Sequence, residues 1–351
     1  MLWCRVVTKR ILLLVALSGV LGVSIASASP RNFAWHVTPT GTTAHFRGLS
    51  PVSATTAWIS GYTPTNGVVM RTTDRGATWQ DVSPAGAAGL QFRDIEAFDA
   101  NHAVAMSIGA DPADFRIYVT SDGGQTWSIT QQNTNPGAFY DCMTFFNSKR
   151  GLLLSDPPDG QHFLVLATDD GGLSWHVTGQ QMPAALPGEA AFAASGECIT
   201  SHGGRAWFGT TAGRVFRSDD GGASWTATQT PIANGSGTNG INALAFRSGQ
   251  HGIAVGGDFA NPTVSPDNFA GTSDGGQTWS LLPGPPEYRS GVTWLNGNTA
   301  IAVGLTGSDV STDFGATWQT FDHGSFDSVA CANPNACWAS GAAGRVAYLA
   351  R

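Results

Sequence analysis

The chain has 351 residues, 42% of them apolar and 12% charged, with 45 glycines and 12 tryptophans. That length supports a large core without metal or disulfide cross-links, and the glycine and proline content stays below that of disordered low-complexity sequence. The net charge is −7, and near −10 once Arg5, Lys9 and Arg10 are set aside, which argues against non-specific binding to nucleic acid or anionic lipid.

Arg5, Lys9 and Arg10 precede an apolar run from Ile11 to Ala26, and Ala26-Ser27-Ala28 has the form of a cleavage site. Residues 1–28 read as a secretory signal peptide, because the run is short for a membrane-spanning helix. The alternative is an uncleaved anchor. Cys4 lies before the run, so it is not a lipoprotein acylation site. The expectation is an exported protein, periplasmic or secreted, and monomeric.

Residues 29–351 are organised by one phrase that recurs six times. It begins Thr72-Thr-Asp74-Arg-Gly76-Ala-Thr-Trp79 and Thr120-Ser-Asp122-Gly-Gly124-Gln-Thr-Trp127. It returns around Asp170 and Trp175, Asp220 and Trp225, Asp274 and Trp279, and Asp313 and Trp318. The template is [ST]-x-D-x-G-x-[ST]-W, with tryptophan spacings of 48, 48, 50, 54 and 39. This is hairpin-turn chemistry. A short aspartate accepts from its own loop, a glycine supplies positive φ, and a tryptophan opens the returning strand. Six copies of one turn argue for a structural role, since an enzyme needs one site.

Before each phrase lie short apolar strands such as Ala57-Trp-Ile-Ser-Gly61 and Gly252-Ile-Ala-Val-Gly256, preceded by others such as Met143-Thr-Phe-Phe146 and Ala191-Phe-Ala-Ala194. Four strands per unit predict an all-β protein, a single seven-bladed propeller of antiparallel four-stranded blades. The blades are expected at 43–84, 91–131, 138–180, 189–229, 240–284, 289–322, and 326–351 with 33–39. Trp35-His-Val-Thr-Pro39 matches the strand after a phrase, so the N-terminal strand should complete the last blade and close the ring.

Cys331 and Cys337 flank a short turn and are expected to pair in an oxidising compartment. Cys142 and Cys198 show no such local geometry; buried free thiols are one reading of them, and the sequence leaves their redox state open. No zinc or haem ligand pattern occurs, and no metal or cofactor is expected. Gly235-Ser-Gly237-Thr-Asn-Gly240 matches a dinucleotide-binding spacing but lacks a βα context and reads as a loop.

The repeated phrase resembles the Asp-box, or BNR repeat, of sialidases, sortilin-type receptors and xyloglucan-cleaving hydrolases. The blade phrasing of Phe46-Arg-Gly-Leu49, Ala57-Trp-Ile-Ser-Gly61 and Val69-Met-Arg-Thr-Thr-Asp-Arg-Gly-Ala-Thr-Trp79 is similar to the photosystem II stability/assembly factor family. That resemblance implies a lumenal or periplasmic seven-bladed propeller without known catalysis. Such proteins chaperone a new membrane subunit through an arginine-rich surface.

The site is sought where the first strand of each blade begins and the second ends, the face opposite the box turns. The ligand-binding candidates there are Arg47, Arg93, Asp94, Tyr140, Asp141, Asp156, Glu189, Asp258, Tyr288, Arg289, Ser290 and Asp327, with His45, Asn242 and Asp309 nearby. Arg47, Arg93 and Arg289 are expected at equivalent places in blades 1, 2 and 6. The expected partner is a protein or peptide segment, of a membrane protein among other sources, or a small-molecule or glycan ligand, but not nucleic acid. The alternative is a sialidase-like hydrolase using Glu189, Asp141, Asp156, Asp258 and Tyr140. Against it, the Phe-Arg-Ile-Pro phrase of sialidases is missing; Phe115-Arg-Ile-Tyr118 lacks the proline.

Overall fold

The computed structural model describes residues 33–350, and the signal-peptide expectation for 1–28 lies outside them. Among the described residues, the strands form seven four-stranded antiparallel sheets, with one 3₁₀ turn at Pro112–Asp114 and no α-helix. The predicted all-β seven-bladed propeller is therefore the observed fold. Blade 1 shows the plan: strands His45–Pro51, Ala57–Tyr62, Gly67–Thr72 and Gln80–Asp81 pair in sequence order from the channel outward. The last blade holds Ser328–Cys331, Cys337–Ser340 and Arg345–Ala350. Its outer strand is Ala34–Pro39, in register from Ala34↔Ala350 to Pro39↔Arg345.

Apolar side chains gather in seven clusters, each between two neighbouring blades. The cluster between blades 7 and 1 joins Trp338 and Val346 to Phe46 and Ile59. It seals the ring as the other six interfaces do, so the closure is a packed core and not a loose overlap. Trp35 adds a buried bond across to blade 6, its Nε1 donating to Ser308 Oγ at 2.9 Å.

The six box turns share one set of bonds. In the second, Asp122 Oδ1 accepts from Thr126 N–H (2.9 Å) and Thr120 Oγ1 (2.9 Å), and Oδ2 accepts from Thr126 Oγ1 (2.6 Å). Thr120 Oγ1 also accepts from Gly124 N–H at 3.0 Å. These bonds hold the Asp122 carboxyl down at about 2, and the Asp274 carboxyl likewise. Four boxes place two consecutive glycines at positive φ; the other two force Arg75 (62°) and Phe314 (67°) into the first of those positions.

Blade 4 departs from the expectation. Ala191–Ala194 is not a strand, and the blade's first strand is Ile199–His202. The chain before it crosses the central channel instead. Ser195 Oγ donates to the Ser290 carbonyl (2.8 Å), Ser328 Oγ donates to the Ser195 carbonyl (3.0 Å), and the Glu197 carboxylate accepts from Val292 and Val329 N–H, both at 2.8 Å. Backbone groups of a segment outside any strand would be costly unpaired in the interior, and contacts to other blades satisfy them, as at the Ala193, Ala194 and Glu197 carbonyls.

The state of Cys142 and Cys198, left open by the sequence, is decided against free thiols. They form a disulfide linking blade 3 to the end of the channel-crossing segment, with Cα atoms 6.1 Å apart across 56 residues of sequence. Neighbouring first strands meet around the channel, a proximity that sequence distance hides. Cys331 and Cys337 are joined across their hairpin.

Candidate functional site

The site starts from four irregularities in backbone pairing. The first strands of blades 1, 2, 3 and 5 each carry a register shift, between Phe46 and Gly48, Phe92 and Asp94, Tyr140 and Cys142, and Ile241 and Ala243. The extra residues are Arg47, Arg93, Asp141 and Asn242. A bulge leaves its extra residue out of the ladder and re-aims its side chain. All four residues are polar, and each holds at least one buried atom without a hydrogen-bond partner. These atoms are Arg47 Nε, Arg93 Nε, both Asp141 carboxyl oxygens and Asn242 Oδ1.

The four bulged side chains stand at equivalent places around one channel and form a polar ring at its mouth. Ser290 and Asp327 fill the equivalent places in blades 6 and 7. The residue before each donates its backbone N–H to the preceding blade, Arg289 to Gly256 (2.9 Å) and Phe326 to Gly304 (3.1 Å), as Phe46 does to Gly341 (3.0 Å).

The mouth has a continuous wall over blades 7, 1 and 2. His45 Nε2 and Asp327 Oδ2 lie 2.9 Å apart, the His45 and Tyr62 rings stack at 5.6 Å, and the Arg93 guanidinium sits 5.7 Å from the Tyr62 ring. Burial, and then the charge of Arg47, lowers Arg93 to about 10. Arg93 Nη1 donates to the Ala193 carbonyl (3.0 Å) and Arg47 Nη1 to the Ala194 carbonyl (3.2 Å), both on the channel-crossing segment.

On blade 3, burial and then the neighbouring Asp156 carboxyl push Asp141 well above the usual carboxylate range. Burial raises Asp156 to about 6, while its Oδ1 accepts from Ala191 N–H at 2.7 Å. Tyr288 lies across the mouth; its hydroxyl accepts from Asn242 Nδ2 at 3.4 Å, and burial raises its pKa.

Other sequence candidates are placed elsewhere. Arg289 is not equivalent to Arg47 and Arg93: it stands where blades 1 and 2 have Phe46 and Phe92, one residue before the mouth position. It is 0% exposed and bonds Asp309 Oδ2 at 2.5 Å, the Tyr288 carbonyl and Thr306. Asp309 lies on the third strand of its blade, not at the end of the second. Glu189 is buried against Arg214 and accepts from Thr210 Oγ1 at 2.6 Å. Tyr140 packs in the core, 6.0 Å from Phe115. Asp258 spends its carboxylate on its own loop, at Ala260 N–H and Asn261 Nδ2. Ser290 Oγ donates to the Asp327 carbonyl at 2.7 Å.

Asp94 lies deeper in the channel, accepting from Met143 N–H (2.6 Å) and Ile95 N–H (2.7 Å); burial raises it to about 7. With Glu96 and Glu197, both pushed well above the ordinary range by burial, it lines a cavity of about 430 Å³ formed by the later residues of the first strands.

Sequence reading missed Glu96, Glu197, Tyr62 and the whole channel-crossing segment. The one signal available was the Pro-, Gly- and Ala-rich stretch 183–196, too long for a blade connection. Among the described residues, no group of three or more His, Cys, Asp or Glu side chains is arranged to hold a metal ion. None of their helices is long and apolar enough to cross a membrane.

No protein-family model matches the chain, and no curated protein matches it in sequence. Solved structures do. A structure of YCF48 bound to D1 peptide superposes with a TM-score of 0.66 at 16% identity, covering 90% of this chain and 95% of that one. YCF48 from Cyanidioschyzon merolae superposes with a TM-score of 0.65 at 14% identity, covering 90% and 98%. U3-55K follows with a TM-score of 0.61 at 11% identity, covering 91% and 98%. At these identities the likeness is one of fold. The expected resemblance to photosystem II assembly factor propellers holds at that level.

Proposed function

We propose that this protein is an exported, non-catalytic binding propeller that captures a segment of another protein at the mouth of its central channel. The observation that carries the reading is the ring of bulged polar residues, Arg47, Arg93, Asp141 and Asn242, each with unpartnered buried atoms at one end of the channel. The ring offers donors on blades 1 and 2 and acceptors on blades 3 and 5, the two kinds of group that pair with the C=O and N–H of a peptide main chain. Arg47 and Arg93 already bond main-chain carbonyls of the protein's own crossing segment. The similar YCF48 propeller is described as bound to a peptide, which supports the same use of the fold. A membrane-protein client and export after cleavage near Ala28 belong to this reading.

The test is selection of a random 12-residue peptide display library on the immobilised protein, followed by affinity measurement of the enriched peptides. Arg47→Gln with Arg93→Gln should weaken them tenfold or more, with folding checked by melting. Failure to enrich any peptide, or equal binding by the double variant, rejects the reading.

A further inference from the structure

Among the described residues, ten large apolar side chains are exposed. Four of them, Leu186, Phe259, Val264 and Leu305, sit on mouth-side loops of blades 4, 5 and 6. These blades lie across the ring from the arginines of blades 1 and 2. Phe259 is 43% exposed and Val264 71%. Both belong to the loop joining the second and third strands of blade 5, and that loop is held firmly. Asp258 bonds Ala260 N–H (2.9 Å) and Asn261 Nδ2 (2.7 Å), Ser265 N–H donates to the Pro286 carbonyl (2.8 Å), and Tyr288 N–H donates to the Pro262 carbonyl (2.8 Å). Large apolar groups held in water on a braced loop beside a polar mouth are the arrangement of a binding surface.

The protein's own chain shows what fits there. The crossing segment enters with Phe192, whose ring meets Phe259 edge-on at 6.2 Å. The next two residues are alanines, and their carbonyls are the ones read by Arg93 and Arg47. Phe259 also meets Tyr288 at 6.5 Å, which joins the apolar loop to the polar mouth. One side of Phe259 is thus used internally, and 43% of it remains open with Val264 beside it in the loop.

We infer that the captured segment carries a large apolar side chain, aromatic or leucine-sized, which seats on Phe259 and Val264. It is followed by small residues, as Phe192 is followed by Ala193 and Ala194. This rests on the protein-segment reading and adds the chemical class of the segment. The apolar anchor supplies desolvation energy.

The test uses peptides enriched from the same 12-residue library, bound to the full chain and to Phe259→Ser with Val264→Ser. Both residues are exposed, so the variant should fold, and an unchanged melting temperature checks that. Ile129→Ser with Leu173→Ser, apolar residues away from the mouth, serves as the control. The inference expects one over-represented apolar position in the enriched peptides. It also expects at least tenfold weaker binding to the mouth variant and unchanged binding to the control. Enriched peptides without an apolar position, or a loss below tenfold, overturn it. If Arg47→Gln still weakens those peptides, the segment reading stands and only the anchor falls. If the library enriches nothing, both fall.

Discussion

Arg289 occupies a place that holds phenylalanine in blades 1, 2 and 7, and the consequence is a buried ion pair with Asp309, both side chains 0% exposed. Removing one partner of such a pair leaves an uncompensated buried charge, which costs about 3–5 kcal/mol. Arg289→Ala is therefore expected to lower stability by that order in a denaturant titration. A loss under 1 kcal/mol would mean that the carboxylate finds water. Phe314 makes the opposite case. It stands at φ 67° where four other boxes carry glycine, and it is exposed. A left-handed residue with a Cβ costs about 1 kcal/mol. Phe314→Gly should raise stability by about 0.5–1 kcal/mol, after the loss of its contact with Arg247 at 4.9 Å. An unchanged or lower melting temperature would show that this contact outweighs the strain.

At the scale of elements, box turns and first strands respond oppositely to pH. The box carboxylates Asp122 and Asp274 are depressed to about 2 in the folded chain, chiefly by the hydroxyls of Thr126 and Thr278. Depressed acids stabilise above their unfolded value near 4, and that contribution is lost as pH falls through about 2. The first-strand Asp94, at about 7, and Asp156, at about 6 on the strand end beside it, are raised by burial. Raised acids leave the fold most stable below about 4, and stability is lost as pH rises from there to 6–7. The melting temperature should therefore peak near pH 4–5 and decline on both sides. A profile flat from pH 4 to 7 would show that Asp94 and Asp156 ionise as freely folded as unfolded.

At the scale of the whole molecule, the ring depends on contacts between segments far apart in sequence. The seventh blade is completed by Ala34–Pro39, and the channel is bridged by a segment of blade 4 that bonds blades 1, 2, 5, 6 and 7. The Cys142–Cys198 disulfide ties the end of that segment to blade 3. Closing a loop of this length stabilises by about 2–4 kcal/mol in the chain-entropy account. Cys142→Ser with Cys198→Ser should lose that much, and the wild type should lose at least as much under reductant, which also opens Cys331–Cys337. A melting temperature indifferent to reductant would show that the two thiols are not joined in solution.

The repeated phrase around Asp74, Asp122, Asp170, Asp220, Asp274 and Asp313, with the strand pattern before it and the match of Trp35-His-Val-Thr-Pro39 to the strand after it, was enough to establish the propeller, its blade number and its closing strand. The reason is local: each turn is built from bonds among residues two to four apart, and such bonds are written in the spacing. The mouth was legible only in part. Arg47, Arg93, Asp141 and Asp327 were found by position along the first strands. A one-residue bulge, however, decides which of two adjacent residues faces the channel, and no spacing rule separated Arg289 from Ser290. The crossing segment, the Cys142–Cys198 bond and the burial of Glu189 against Arg214 were decided by tertiary structure alone. Each joins residues brought together by curling the chain into a ring. Their energetics come from desolvation and cross-blade bonding, which depend on what lies opposite and not on what lies next in sequence.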